Sequence, residues 1–357
     1  MTKSSQGSKH IEALTGLRAL AAAWVFGFHL TPDISKLFPG TLADRAYSWL
    51  FSEGYLGVEL FFVLSGFVLA LGYGTAFREG IGIRAFVSFQ RRRLARIYPN
   101  HLVTLAVVGV LVMAVPAANR EAVFPNSTLQ ALVQHLTLTV AWTEPVTSSW
   151  NVPAWSISSE WLAYLAFPAL SFLLLNRLSS RVSVVGALLL SLGLIVGVDT
   201  LMADPPSAPR MDRILFFVPG AILGMQYAGG WGRALPWAWI LVVVTAALAF
   251  LLSVDALMPF KLLLPAVIYA VASDRSVLPA VLGSRPLVYL GRTSYAFYLI
   301  QLPIILIWRI FAPEPGSGIL GSVMYFASVW MVNYVAAHLI WKFIEEPSRR
   351  FLTRGGA

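Results

Sequence analysis

Apolar side chains run almost unbroken for close to the ~20 residues that cross a bilayer as a helix at ten places along the chain. These runs cover 12–31, 54–73, 100–117, 153–175, 183–202, 213–228, 236–253, 256–272, 287–308 and 318–341. The pattern predicts an all-α integral membrane protein, a bundle of about ten transmembrane helices. Residues 128–142, "TLQALVQHLTLTVAW", are shorter and amphipathic, which places them at an interface or folded against the bundle. No fixed-period repeat, low-complexity segment or separate soluble domain stands out, so residues 1–357 read as one transmembrane domain. The "GYG" and "GIG" glycines between 72 and 82 do not follow a strand, which argues against a dinucleotide loop.

Composition sharpens this picture. The 357 residues are 57% hydrophobic and 12% charged, about half the ~25% charge of an ordinary soluble domain, and mean hydropathy is +0.72. There is no cysteine, which excludes disulfides, thiolate metal sites and a cysteine nucleophile. The net charge of +9 follows from the positive-inside rule rather than from nucleic-acid binding. Basic clusters at Arg91, Arg92, Arg93 and Arg96, at Arg177 and Arg181, at Arg275 and Arg285, and at Lys342, Arg349, Arg350 and Arg354 mark inside loops. Loops with Asp33, Asp44, Glu53, Glu121, Glu144 and Asp204 face out, so an even number of spans with both termini in the cytoplasm is expected. The first apolar run is long, lacks a small-residue cleavage site and carries Arg18, so no cleavable signal peptide is expected.

The chemistry-bearing candidates are polar residues that the apolar runs retain at a cost. An ionisable side chain at mid-membrane costs roughly 2.5–3.5 kcal/mol on insertion scales. In "LTGLRALAAAWVFGFHL" (14–30), Arg18 and His29 stand eleven residues apart. That is three helical turns plus about 20°, one face and about 16 Å of axial separation. Snorkelling of Arg18 and a structural role for His29 are the plainer explanations. A shared polar cavity accounts for both at once. Glu59 lies in the next run, "GYLGVELFFVLSGFVLA" (54–70), where Ser65 and Gly66 suit close helix packing.

In "FQRRRLARIYPNH" (89–101), Arg93 and Arg96 are one turn apart and Pro99 marks entry into the following span. Such guanidinium groups suit either a multiply phosphorylated ligand or the topology rule alone. "NVPAWSISSEWLAYLAFP" (151–168) sets Asn151, Trp155, Ser156, Ser159 and Glu160 at the start of a span. Glu160 could orient His29 and stabilise its protonated form, or sit in an interfacial aromatic belt. Asp33 follows His29 by four residues, but Pro32 between them is expected to end the helix.

Taken in order, Arg-x10-His, GxxGVxLFFVLSGF, RRxxRIYP, WSxSxEWxxY, "GRTSYAFYLIQLP" and "FIEEPSRR" resemble the acyltransferase 3 family of bacterial membrane proteins, over about residues 11–350. The resemblance implies transfer of an acyl group, commonly acetyl, from cytoplasmic acyl-CoA to a hydroxyl of a glycan, lipid-linked sugar or macrolide. It implies a multi-pass protein of the cytoplasmic membrane, in contact with lipid and not with nucleic acid. His29 matches the family's essential histidine, Arg18 its partner and Glu160 the acidic residue of the tryptophan-serine motif. Arg92, Arg93 and Arg96 match the arginine motif that contacts acyl-CoA. Glu59, Ser65, Trp155, Ser156, Ser159, Tyr295 and Gln301 are the candidates for substrate contact. Many relatives have histidine where this chain has Gln301, and glutamine cannot take up a proton near neutral pH. A positioning contact is what remains for it.

A thioester is already activated, so neither a resident cofactor nor a metal is expected, and acyl-CoA, with acetyl-CoA foremost, enters as co-substrate. The protein must supply orientation, a general base and oxyanion stabilisation. The alternative is a transporter or flippase of a lipid-linked saccharide, for which paired broken helices in two halves would be the signature. The sequence shows none.

Overall fold

The structure, a computed structural model, describes residues 3–142, 149–178, 180–202, 211–230, 257–273, 277–311 and 319–354. The described elements are helices α1 (Lys3–Leu37), α2 (Leu42–Phe51), α3 (Leu56–Tyr73), α4 (Ile83–Ala114), α5 (Arg120–Val123), α6 (Leu129–Leu136), α7 (Ala154–Arg177), α8 (Arg181–Leu201), α9 (Phe217–Ala228), α10 (Met258–Ser273), α11 (Val277–Leu282), α12 (Arg285–Phe311), α13 (Ile319–Ile340) and α14 (Glu346–Arg354). A π-helical turn, Trp341–Glu345, joins α13 to α14. Among the described residues there is no strand.

Seven segments among the described residues are long and apolar enough to cross a membrane, which makes this a multi-pass membrane protein. The expected run at 236–253 lies outside the described residues. The run at 213–228 divides into a 3₁₀ turn, Met211–Phe216, and the twelve-residue α9. The run at 256–272 forms α10, sixteen residues long, so both fall short of a span.

Two proline expectations are corrected. α1 continues through Pro32 to Leu37, and α4 is a single helix across Pro99, so the arginine cluster lies within it rather than ahead of a new span. In a bilayer, backbone freed at proline has no water to turn to, and continuing the helix keeps the remaining backbone groups bonded.

The chain divides into two compact units. The first comprises Met1–Ala21, Leu56–Val87 and Leu162–Arg292. Its centre is the packing of α3 on α9, where glycines let two backbones approach. A Cβ on Gly66 would lie 2.1 Å from the Phe217 carbonyl oxygen, one on Gly220 2.1 Å from that of Val63, and one on Gly224 2.4 Å from that of Phe67. The packing role expected of Gly66 is therefore observed. The same device seats α1 beside Leu282 at Gly16 and beside Gly291 at Thr15. Phe167 closes the core edge-on to Phe77 and Phe217.

The second unit comprises Ala22–Tyr55, Ser88–Trp161 and Thr293–Ala357. Phe26 of α1 packs edge-on against Phe297 of α12 and Trp330 of α13, with Leu30, Ile305 and Val329 completing the apolar cluster. Gly27 admits the Phe51 ring and Gly54 the Trp24 backbone, which fastens α2 and the start of α3's lead-in against α1.

Candidate functional site

In the second unit, the helical register of α1 puts His29 four residues after Val25. Its Nδ1 lies 2.9 Å from the Val25 carbonyl oxygen. A carbonyl can only accept, so Nδ1 carries the proton and Nε2 presents the lone pair. His29 is half-buried, and its imidazole makes no other hydrogen bond among the described residues. Its backbone carbonyl accepts from Arg309 at 3.4 Å, and Arg309 is held by Asp33 at 2.7 and 3.0 Å. Asp33 therefore belongs to a helix-to-helix ion pair rather than to the imidazole. No hydrogen bond or ion pair joins Glu160 to His29; Glu160 is half-buried on α7 with contacts of its own.

α4 carries the arginines. Arg92 donates to Ser88 Oγ at 2.6 Å, and the Arg93 guanidinium lies over the Phe89 ring, 5.6 Å from its centroid. Arg93 and Arg96 are both half-buried and engaged. Continuing from Arg93 by three, seven and eleven residues reaches Arg96, Asn100 and Thr104, which share one helix face over about 16 Å. The structure thus aligns the arginine motif with a buried polar network further along α4.

That network is the part the sequence reading did not assign. Asn100 donates to Glu345 Oε2 at 2.6 Å, and Glu345 is carried on the π-helical turn. Thr104 Oγ1 donates to the Asn100 or His101 carbonyl at 3.0 Å and accepts from Asn151 Nδ2 at 3.1 Å. Asn151 Nδ2 also reaches the Leu299 carbonyl at 3.3 Å. His101 Nε2 lies 2.8 Å from the His135 carbonyl oxygen, and His135 Nε2 lies 3.1 Å from that of Ser149. The two imidazoles stack, 6.0 Å between centroids and 14° between planes. Asn100, His101, Thr104, His135 and Asn151 are all buried. Burial first, then the neighbouring His101, pushes His135 down to about 4, against the opposing pull of the Ser149 carbonyl. The signal was on the page: "PNH", "LVQHL" and "NVP" each set a polar side chain in an apolar run.

The tryptophan-serine motif lies beside α12. Ser156 Oγ is 2.8 Å from Tyr298 Oη, Ser159 Oγ donates to the Trp155 carbonyl at 3.2 Å, and Tyr295 donates to that of Ile97 at 3.0 Å. Trp155 is buried. Gln301 is wholly enclosed, and neither atom of its amide has a hydrogen-bond partner among the described residues.

Three candidates, Arg18, Glu59 and Ser65, fall in the first unit. Arg18 and Ser65 are half-buried and engaged. Glu59 has an ionic neighbour: its Oε1 is 3.3 Å from Arg213 Nε. Arg213 also binds Asp199 at 2.9 Å, and Asp199 binds Lys261 Nζ at 2.7 Å. Two acids and two bases cancel in charge. The carboxylate expected to touch substrate is therefore an element of a buried ion chain. Asp199, Arg213 and Lys261 each stood in an expected apolar run and obeyed the same penalty argument. Among the described residues, no group of three or more His, Asp or Glu side chains could hold a metal ion.

Residues 11–341 match a family described as "Acyltransferase domain". The chain is similar to "Acyltransferase MdmB" of Streptomyces mycarofaciens, 28% identical over 96% of this chain and 93% of that protein. It is 23% identical to the "Putative O-acetyltransferase SACOL0978" of Staphylococcus aureus (strain COL), over 96% of this chain but 58% of that longer protein. A 31% identity with "Protein 2 in picA locus" of Rhizobium radiobacter covers 41% of this chain and 75% of that protein. No solved structure matches the chain.

Proposed function

The chain belongs to the acyltransferase 3 family, and from that premise we propose that it transfers an acetyl group from acetyl-CoA to a hydroxyl of a saccharide or glycosylated acceptor. The observation that carries this reading is the tautomer of His29: with Nδ1–H committed to Val25, the base nitrogen Nε2 is free for a substrate proton. Nε2 removes the acceptor's hydroxyl proton as that oxygen attacks the thioester carbonyl carbon. The tetrahedral oxyanion collapses, the C–S bond breaks, and the imidazolium returns the proton to the departing thiolate. The products are the O-acetyl ester and CoA thiol. Orientation of His29 comes from the α1 backbone through the Val25 carbonyl, and Glu160, which makes no bond to the imidazole, is assigned with the tryptophan-serine motif to the acceptor side.

Arg93 and Arg96, with Arg92 beside them, are proposed to take the CoA phosphates, since guanidinium groups one turn apart match paired phosphate oxygens. Arg18 is assigned to the donor side of the same α1 face. Trp155, Ser156, Ser159, Tyr295 and Gln301 are assigned to the acceptor. A cytoplasmic-membrane location with both termini inside fits a donor supplied from the cytoplasm.

The test is thiol release from acetyl-CoA by the purified full chain in lipid nanodiscs, with candidate glycosides as acceptors. His29→Ala should lower turnover by roughly 10²–10⁴ while membrane insertion and thermal unfolding stay as in the parent. Parental turnover in a folded His29→Ala protein would refute the assignment.

A further inference from the structure

Pro32 leaves a weak point in α1 directly after His29. Proline has no N–H, so the Phe28 carbonyl loses its helical donor, and the pyrrolidine ring presses on that same carbonyl. The helix nevertheless runs on to Leu37. The turn from Val25 to His29 is the one that fixes the imidazole, since Nδ1–H is committed to the Val25 carbonyl. A ring that keeps one orientation here needs its backbone held by more than the ladder of α1.

Two other helices hold it. The carbonyls on either side of Phe28 each receive a side-chain donor from outside α1. Tyr47 Oη of α2 donates to that of Gly27 at 3.0 Å, and Arg309 Nη2 of α12 to that of His29 at 3.4 Å. The second contact is long, and its strength lies in how Arg309 is held. Its Nε and Nη2 donate side by side to the two Asp33 carboxylate oxygens, at 3.0 and 2.7 Å, a fork that fixes the plane of the guanidinium. Asp33 stands one helical turn after His29, so the pair bridges Pro32 and clips both sides of it to α12. With the Arg309 side chain 44% exposed, such an ion pair adds little to overall stability. Its consequence is local, and the residue it touches is His29.

We propose that Asp33 and Arg309 are positioning residues for His29. The clip holds the turn that Pro32 weakens, so that Nδ1–H stays on Val25 and Nε2 stays the bare nitrogen. That Nε2 then acts as the base rests on the function proposed above; the effect on the ring does not.

Arg309→Gln and Asp33→Asn each remove the fork. The ring is read by solid-state nitrogen NMR of the full chain in lipid bilayers, with isotope-labelled histidine and no acyl-CoA. The chain has five histidines, and the His29 signals are those absent from His29→Ala. In the parent they should show one tautomer, with the proton on Nδ1; in either variant they should show a mixture. The kcat of acetyl transfer should fall roughly ten- to hundredfold, the cost of a reacting group displaced by about 1 Å, while the KM for acetyl-CoA and the unfolding temperature stay as in the parent. Pro32→Ala returns a donor to Phe28, and in that background Arg309→Gln should leave the single tautomer in place.

A single Nδ1–H tautomer in both variants would overturn the proposal, as would a mixture in Pro32→Ala/Arg309→Gln equal to that in Arg309→Gln alone. A lower unfolding temperature with the tautomer unchanged would make the pair a tie of the fold and nothing more. If the tautomer responds as expected but the parent consumes no acetyl-CoA, the positioning stands and the transferase reading falls. Turnover that depends on His29 but is indifferent to both variants sinks the positioning alone.

Discussion

Arg213→Met offers a sharp test of how the first unit is held together. Arg213 is 2% exposed, Glu59 1% and Lys261 0%, so the ion chain has little access to water. Arg213 is the cation beside Glu59, whose other oxygen, Oε2, has no hydrogen-bond partner. Asp199 keeps Lys261 when Arg213 is lost. The substitution therefore strands one carboxylate and weakens another. Breaking a buried pair by removing one partner costs roughly 3–5 kcal/mol, and the lost charge-assisted bond to Asp199 adds roughly 1.5–3 kcal/mol.

Removing the stranded acid as well should return much of that loss. In Glu59→Leu/Arg213→Met the surviving Asp199–Lys261 pair is neutral, so only the Asp199 bond remains as a cost. The double variant should be more stable than Arg213→Met by about 3 kcal/mol, a strong coupling in a double-mutant cycle. Unfolding of the purified chain by SDS titration, followed through tryptophan fluorescence, measures all four corners. A double variant no more stable than Arg213→Met would refute the ion-chain account. A stable double variant that has lost acetyl transfer would restore Glu59 to the substrate contacts.

Arg93→Gln/Arg96→Gln should raise the KM for acetyl-CoA by well over tenfold while leaving that of the acceptor nearly unchanged, because each lost charge-assisted bond costs roughly 1.5–3 kcal/mol; an unchanged donor KM in correctly inserted protein leaves these arginines as topology markers. Gln301→His should retain activity or alter it modestly in initial-rate assays, and complete loss would show that the enclosed amide makes a substrate contact of its own. His135, held down to about 4 against an ordinary 6.5, binds its proton more readily when unfolded. Its contribution is present in full above pH 6.5 and is lost as pH falls toward 4, on the order of 3 kcal/mol; the unfolding free energy of parent and His135→Gln between pH 4 and 7 should diverge in that window, and parallel profiles would contradict the shift.

The helices were legible because spanning a bilayer demands long apolar runs, and α1, α3, α4, α7, α8, α12 and α13 announce themselves that way. Their ends were not. Pro32 and Pro99 are helix breakers in water, where a freed carbonyl finds a solvent partner at once, but both helices run on through them. The division of the 213–228 run into a 3₁₀ turn and the twelve-residue α9 was hidden, because composition alone cannot show that Arg213 meets two carboxylates within that turn. Gly66 was read correctly, since a small residue in an apolar helix has few uses besides close approach.

The site was half legible for a different reason. Sequence displays the cost of a polar group in an apolar run but not what offsets it. Glu59 and Gln301 stood as equal candidates for substrate contact, and only tertiary structure separates them. Glu59 meets Arg213, whereas the Gln301 amide has no hydrogen-bond partner among the described residues. An ionisable group answered by a counter-charge needs no ligand to explain it. The enclosed amide of Gln301, with neither atom hydrogen-bonded among the described residues, has no such answer. By that criterion Gln301 keeps its place among the proposed acceptor contacts. The same criterion separates the two histidine environments of the second unit. His29 is half-buried with Nε2 available to chemistry, while His101 and His135 are buried and stacked, each with Nε2 turned to a backbone carbonyl.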